Sequence, residues 1–378
     1  MKVEQIYNIV NTVTQELTGG SAVVEEDLSN IVEIGDTLTN ATGNAFENYV
    51  RALPDVIGKT IFVNRPYQGS VPSVMKDGWE YGSILQKIDS EMPSAVENKD
   101  WDLQDGQTYD PNVFHKPKAS AKYYNSKTTF EVEASFTDRQ ARSAFRSAGD
   151  MNAFLSMLTT GIENSLSLKI SGLVMRTLNA MTARTLDDGN ANRAYNLLSE
   201  YNTQFGTSVT AAQALTNPEF IRWASFRMSV IIDRLPAMSK LFNIEGKLRF
   251  TPEGSRHFVL LNDFQKAAGV YLQSDTFNNE FTALPNAETV PYWQGTGTDY
   301  SFNSISSINV KVDEDTTVNK TGIIGVCFDT NACAVTNEDR RVTTNYNPKA
   351  EFTNYFYKFD CQYLNATDEN YIVFYIAD

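Results

Sequence analysis

The chain has 378 residues and is 42% hydrophobic, enough to bury a sizeable core and to divide it between two lobes. A formal charge of −14, from 32 Lys and Arg against 46 Asp and Glu, excludes a protein that wraps nucleic acid by neutralising phosphates. Cys327, Cys333 and Cys361 are too few and too clustered for a disulfide framework and read as buried thiols of a cytosolic product, while Met1 to Glu16 lacks a secretory signal and no apolar run approaches the roughly 18 residues of a membrane span.

In chain order, residues 1 to about 55 carry two short amphipathic stretches, Ile6, Ile9, Val10, Val13, Leu17 and then Leu28, Ile31, Val32, Ile34, interrupted by Gly19-Gly20, Gly35 and Gly43. This reads as an extended or partly helical arm lying on a neighbouring subunit, with an N-terminal helical lobe as the alternative. Lys59 to Val63 and Gly82 to Ile88 read as strands. From Asp89 to Lys118 the composition turns polar, with Pro93, Asp100, Asp102, Asp105, Gly106, Asp110, Pro111 and Pro117. A loop of that length is functional, disordered or engaged with something outside its domain. Phe130, Val132, Ala134 and Phe136 then alternate with Thr129, Glu131, Glu133 and Ser135, a half-buried strand.

The strongest helix follows. With Asp150 as N-cap, apolar residues from Met151 through Phe154, Leu155, Leu158, Ile162, Leu166, Ile170, Leu173, Val174 and Leu178 to Met181 recur at steps of three and four, predicting a rod of roughly 45 Å. A polar segment from Thr185 to Thr216 leads to a second helix that starts with Pro218 at its first position and ends at Pro236. A strand at His257 to Leu261, a helix at Asn262 to Leu272, and β-rich runs at Ser304 to Val312 and Gly322 to Val335 come next. Tyr355 to Phe359 and Tyr371 to Ile376 should return as strands to the sheet holding the early ones, because a terminal hairpin alone could not bury so many aromatics.

Chemistry finds little foothold. His115 and His257 are the only histidines, far apart and without an acid or thiol at a recognised catalytic spacing. Phosphate-loop, dinucleotide, zinc-peptidase and C-x-x-C motifs are missing. Asp100, Asp102 and Asp105-Gly106 approach a calcium loop, but the third acid is one position late and Pro111 stands where the closing Glu belongs, so a solvated acidic loop is the preferred reading. The aromatic residues are not interleaved with basic ones, which favours core and interface packing over stacking on single strands.

The order of elements resembles the tailed-phage major capsid fold, which encapsulins and the herpesvirus capsid floor share. Phe114-His115, Tyr123-Tyr124, the stretch from Asp138 to Phe145, Gly149-Asp150-Met151-Asn152-Ala153-Phe154 and Asn354-Tyr355-Phe356-Tyr357 are similar in order and spacing to capsid proteins of small short-tailed, podovirus-type phages of Gram-positive hosts. The resemblance implies an α+β fold: an N-terminal arm (1–55), the first peripheral-domain strands with an extended β-hairpin loop (56–136), the peripheral spine helix (137–184), an axial domain (185–320) and return strands (321–378). It implies a structural, non-enzymatic protein that self-assembles into hexamers and pentamers of an icosahedral shell around double-stranded DNA. Such a protein is located in the virion, assembles in the host bacterial cytoplasm, and uses no cofactor, metal or membrane. Implied partners are its own copies, a scaffolding protein and a portal protein. Ile6, Val10, Leu28, Trp79, Trp101, Phe114, Tyr123, Tyr124, Tyr292 and Trp293 are the residues expected at subunit interfaces. Lys116, Lys118 and Lys122 lie in or near the loop, but no pattern names a partner for covalent crosslinking, and none is predicted. An encapsulin-type compartment and a two-domain soluble hydrolase are the alternatives.

Overall fold

A computed structural model describes residues 3–18, 23–40, 48–49, 52, 71–76, 85–90, 92–93, 95–110, 112, 114–116, 118–273, 287–296 and 307–378. The strand expected at Lys59 to Val63, and Trp79, lie outside the described residues. The chain divides into two units, a larger one of residues 1–79 and 127–378 and a smaller one of residues 80–126.

In the larger unit the sequence begins with α1 (Val3–Thr18) and α2 (Ile31–Asn40). Val10 and Val13 on α1, and Leu28, Ile31, Ile34 and Leu38 on and before α2, are buried in the first of two apolar cores. A Cβ on Gly35 would come within 2.7 Å of Phe145, so α2 packs as closely as glycine permits. The described residues of this stretch are helical, as the partly helical arm and its alternative, a helical lobe, both allow, and their apolar side chains are buried within the chain.

Strand β1 (Met75–Lys76) enters a sheet with elements that lie later in the chain, whereas β2 (Leu85–Ser90) and β3 (Ala119–Tyr124) form a two-stranded sheet of their own in the smaller unit. β4 (Lys127–Thr137) shows the expected alternation, with Phe130 and Phe136 buried and Thr129, Glu131, Glu133 and Ser135 exposed. Helix α3 (Asp138–Ala144) follows directly, opened by a capping box in which the Thr137 hydroxyl and the Gln140 side chain each accept from the other's backbone N–H.

The long helix α4 (Ala148–Asp187) runs 40 residues, roughly 60 Å at 1.5 Å per residue. Its N-cap is Ser147, not Asp150: Ser147 Oγ accepts from the Asp150 backbone at 3.1 Å and donates to the Asp150 carboxylate at 3.0 Å, which satisfies a free N–H of the first turn. The first half of α4 buries one stripe, Met151, Leu155, Leu158, Ile162 and Leu166. From Leu173 to Thr185 it is buried nearly all round, even at Thr177, Asn179 and Thr182. Thr177 and Thr185 meet this burial by donating back to the Leu173 and Met181 carbonyls at 2.9 Å.

Beyond it lie β5 (Ala194–Asn196), α5 (Leu197–Phe205), α6 (Ala211–Ala214) and α7 (Pro218–Ile232). The segment expected to be merely polar thus holds two helices. Leu197, Leu198 and Tyr201 occupy one face of α5 and are buried, a stripe too short to stand out among polar neighbours. Asn217 caps α7 by accepting from Glu219 and Phe220 backbone N–H groups, with Pro218 at the first helical position. Next come β6 (Arg256–Leu261), α8 (Asn262–Gln273), β7 (Glu288–Val290), β8 (Gln294–Thr296), β9 (Ser307–Lys311), β10 (Thr317–Thr321), β11 (Ile323–Asp329), β12 (Cys333–Asn347), β13 (Phe352–Asn365) and β14 (Tyr371–Tyr375).

The four-stranded sheet has the order β1-β12-β13-β4, and β13 pairs antiparallel with β4 from Phe352↔Thr137 to Gln362↔Lys127. Its apolar face presents Phe130, Phe136, Tyr355, Tyr357 and Phe359 to the first core; the Phe136 ring lies 4.8 Å from Tyr355 and 5.2 Å from Phe154 of α4. Its other face is ionic and polar, with Lys358 to Glu131 at 3.0 Å and Arg341 to Asp360 at 2.7 Å. One expected strand of the tail therefore does return to the early β4. The other, β14, joins a different sheet.

That second sheet, ordered β5-β14-β11-β6-β7, is the wall between the two cores. Along β11, Ile323, Val326 and Phe328 belong to the first core while Ile324 and Cys327 belong to the second; along β14, Tyr371 and Val373 face the first and Ile372 and Phe374 the second. The second core is completed by α5, α7 and α8 through Tyr201, Phe220, Met228, Ile232 and Phe264. The sheet joins strands from both sides of residue 320, β5, β6 and β7 before it and β11 and β14 after it. Gly322, at φ +73°, makes the turn into β11, where its carbonyl accepts from Ile376 at 2.8 Å and a side chain would collide with the Ile376 carbonyl.

Candidate assembly surfaces

The smaller unit is built around the β2–β3 hairpin, registered from Leu85↔Tyr124 to Ser90↔Ala119. The pairing puts Ile88, Ala121 and Tyr123 on one face, where Ile88 is 70% and Tyr123 64% exposed. The segment joining the strands is shaped by short local bonds. Asn98 Oδ1 accepts from the Asp100 backbone and Asp110 Oδ1 from that of Asn112, both at 2.9 Å, while the Gln104 backbone donates to the Tyr109 hydroxyl at 3.1 Å. Along it Met92, Val96, Trp101, Leu103, Tyr109 and Phe114 are exposed, Trp101 by 82% and Phe114 by 83%. Interspersed are Glu97, Asp100, Asp102, Asp105 and Asp110, all exposed. An isolated hairpin is marginal in water, and large apolar side chains displayed in series make this segment a candidate assembly surface.

A second surface lies in the larger unit, on the chain between α7 and β6. The Ser239 and Arg249 backbones bridge this excursion at 2.8 and 2.9 Å, and it displays Met238, Leu241, Leu248 and Phe250, with Phe226 of α7 also exposed. Its inner side is held by buried polar bonds. Arg249 pairs with Asp368 at 2.9 Å and Glu369 at 3.5 Å, Asn370 donates to Thr251 at 3.1 Å, and Arg193 joins Asp188 at 3.1 Å to the Asn243 carbonyl. Asp368 is 1% exposed as a side chain, so the arginine supplies the charge and donors that its burial requires. The loop is thus held from within and displays apolar side chains outside.

Of the expected interface residues, Trp101, Phe114 and Tyr123 stand on the smaller unit's exposed surface, Tyr124 and Tyr292 are half-buried, and the Ile6 side chain and Trp79 lie outside the described residues. Val10, Leu28 and Trp293, at 0%, 2% and 0% exposure, are buried in the chain's own first core. Helical or strand periodicity cannot separate a face turned to the chain's own core from one turned to a partner. Phe226 escaped the sequence reading because it stands on α7 off the apolar stripe, and Met238, Leu241, Leu248 and Phe250 because they do not recur with a period; the only signal for these four was apolar density after the end of a helix.

The titratable groups are placed for packing. His257 on β6 lies 5.8 Å from the Phe328 ring, and burial holds its imidazole below the ordinary pKa against the pull of Glu288 and Asp329. Glu288 is engaged by the Ser73 backbone at 3.1 Å and the Ser73 hydroxyl at 2.5 Å. Burial pushes the Cys327 thiol up to about 12 and the Cys333 thiol higher, the opposite of what a nucleophile needs. Among the described residues no group of three or more His, Cys, Asp or Glu is placed to hold a metal ion, and no helix is long and apolar enough to cross a membrane.

Comparison with known proteins agrees with this geometry. The profile of the family described as Phi29-like phage major capsid protein matches residues 6–375. Among solved structures, a chain of the capsid structure of Staphylococcus phage Andhra is similar with a TM-score of 0.50 at 10% identity, covering 81% of this chain and 83% of that one. A chain from the structure of head fiber and inner core protein gp22 of native bacteriophage P68 gives a TM-score of 0.51 at 10% identity, covering 81% and 84%. At such identity the likeness speaks to the fold. No curated protein sequence matches.

Proposed function

This chain belongs to the Phi29-like phage major capsid protein family, and from that membership we propose that its copies close into an icosahedral shell of hexamers and pentamers around double-stranded DNA. It is a structural protein of the phage capsid, located in the virion, with an α+β fold like those of phage capsid proteins. The encapsulin reading is not favoured, because the matching family is one of phage capsids. The observation that carries the assembly reading is the smaller unit, whose Trp101, Leu103 and Phe114 nothing in their own unit covers. A surface of that kind is repaid when a neighbouring copy buries it, and repetition around a closed shell multiplies modest contacts. Assembly in the bacterial cytoplasm, guided by a scaffolding protein and started at a portal, completes the proposal. Enclosed DNA needs no specific site; a chain of net charge −14 repels it and leaves it free to move.

Negative-stain electron microscopy tests this on the purified chain, alone and after co-expression with a candidate scaffolding protein. Closed shells or flat hexamer arrays are the expected result. Strictly monomeric or dimeric particles under both conditions would overturn it.

A further inference from the structure

The sequence holds Asp77-Gly78, Asp105-Gly106 and Asp188-Gly189, and no Asn-Gly pair. An Asp-Gly junction is chemically exposed, because glycine has no side chain to shield its backbone nitrogen from the carboxyl group before it. Asp77-Gly78 lies outside the described residues, and the fold sets the other two in opposite circumstances. Asp105 and Gly106 are the central residues of a turn closed by the Gln107 backbone, which donates to the Gln104 carbonyl at 3.3 Å. Gly106 has φ +80° while Asp105 keeps a negative φ, the pattern of a type II turn. The closing bond of such a turn is made by its fourth residue, so the Gly106 N–H takes no part in it. A Cβ on Gly106 would meet nothing within 4 Å, and Asp105 is exposed. Rotation of a solvated side chain is all that stands between this carboxyl group and that nitrogen.

Asp188-Gly189 also has a glycine at positive φ, +66°, but both reacting groups are engaged. Asp188 is the C-cap of α4, and the Gly189 N–H donates to the Leu186 carbonyl at 3.2 Å. The Asp188 carboxylate is held at 3.1 Å by Arg193, which is itself buried. Attack at this junction must first break a hydrogen bond and an ion pair.

We propose that Asp105-Gly106 is a site of spontaneous isoaspartate formation, to which the fold leaves Asp105 open and from which it protects Asp188. The Gly106 nitrogen attacks the Asp105 side-chain carboxyl carbon. The new C–N bond replaces a C–O bond, and the oxygen leaves as water with the proton of the nitrogen and that of the carboxyl group, giving a cyclic succinimide. Solvent water then adds to one of the ring carbonyls. Breaking the ring's bond to the side-chain carbon restores aspartate. Breaking its bond to the main-chain carbon leaves a free α-carboxylate and routes the chain through the side chain, which lengthens the backbone of the turn by a methylene. Water is released in the first step and consumed in the second, so no oxidant or cofactor is needed and the mass of the chain is unchanged.

The test is to age the full chain, as purified, in heavy-oxygen water and to map its peptides by mass spectrometry, with isoaspartyl methyltransferase marking the product. The buffer is mildly acidic, because the carboxyl group must carry a proton for its oxygen to leave as water, and circular dichroism confirms that the chain stays folded. Heavy oxygen and methyl label should accumulate on the Asp105 peptide about tenfold or more faster than on the Asp188 peptide, given the bonds that must open first at the latter. Gly106→Ala should suppress the labelling of Asp105, because a Cβ shields the nitrogen and disfavours a positive φ. Equal labelling of the two peptides, or none at Asp105, would overturn the proposal, as would a Gly106→Ala chain that ages like the unaltered one. In guanidinium the difference between the two junctions should close. A preference for Asp105 that persists there undiminished belongs to local sequence, and it would defeat the claim that the fold selects the site.

Discussion

The buried wall β5-β14-β11-β6-β7 and the exposed hairpin β2–β3 draw on the same residue types and put them to opposite uses. In the wall, every residue of β11 is buried, and alternate side chains enter one core or the other. A near-continuous apolar run is what a strand needs when both faces are covered. In the smaller unit, Ile88, Trp101, Phe114 and Tyr123 are large and largely apolar too, yet all four are exposed. The wall spends its hydrophobic surface on the stability of one chain. The hairpin and its connecting segment leave theirs exposed, the surface proposed above for association.

That contrast can be broken most severely at the wall. Phe328→Ala removes a ring that is 0% exposed and lies 5.6 Å from Tyr371, and it should cost about 3–5 kcal/mol in denaturant unfolding, enough to compromise folding. A loss under about 1 kcal/mol would mean the wall is not the shared core of the larger unit. Next in size is Arg249→Met, which leaves the Asp368 carboxylate buried without its cation; about 3 kcal/mol of stability should go, at the lower end for a buried pair because Arg249 is partly solvated. The same measurement checks that the loop bearing Met238, Leu241 and Phe250 is held from its inner side. Smallest for the isolated subunit is Trp101→Ala with Phe114→Ala. Unfolding should change by less than about 0.5 kcal/mol per site, because both rings are already in water, while shell yield falls sharply. A large loss of stability with normal assembly would reverse the assignment of that surface.

The amino-acid order alone determined those elements whose pattern is periodic and long. The Met151 to Met181 stripe wrote α4, Phe130 to Phe136 wrote β4, Pro218 marked the start of α7, and the polar run after Asp89 marked a segment outside any compact core. The sequence also carried the likeness to tailed-phage capsid proteins. It misassigned the cap of α4, because Ser147 and Asp150 both suit a helix start and only backbone geometry separates an N-cap from the third residue inside. Tertiary structure alone decided which apolar faces are spent internally. Val10, Leu28 and Trp293 look in sequence no different from Trp101 and Phe114, yet three are enclosed by residues far along the chain and two are not. Burial depends on what packs over a side chain, and that is set by contacts between distant segments that no local pattern records. The shared sheet followed the same rule: β11 and β14 had to meet β6 and β5 before one strand could serve two cores.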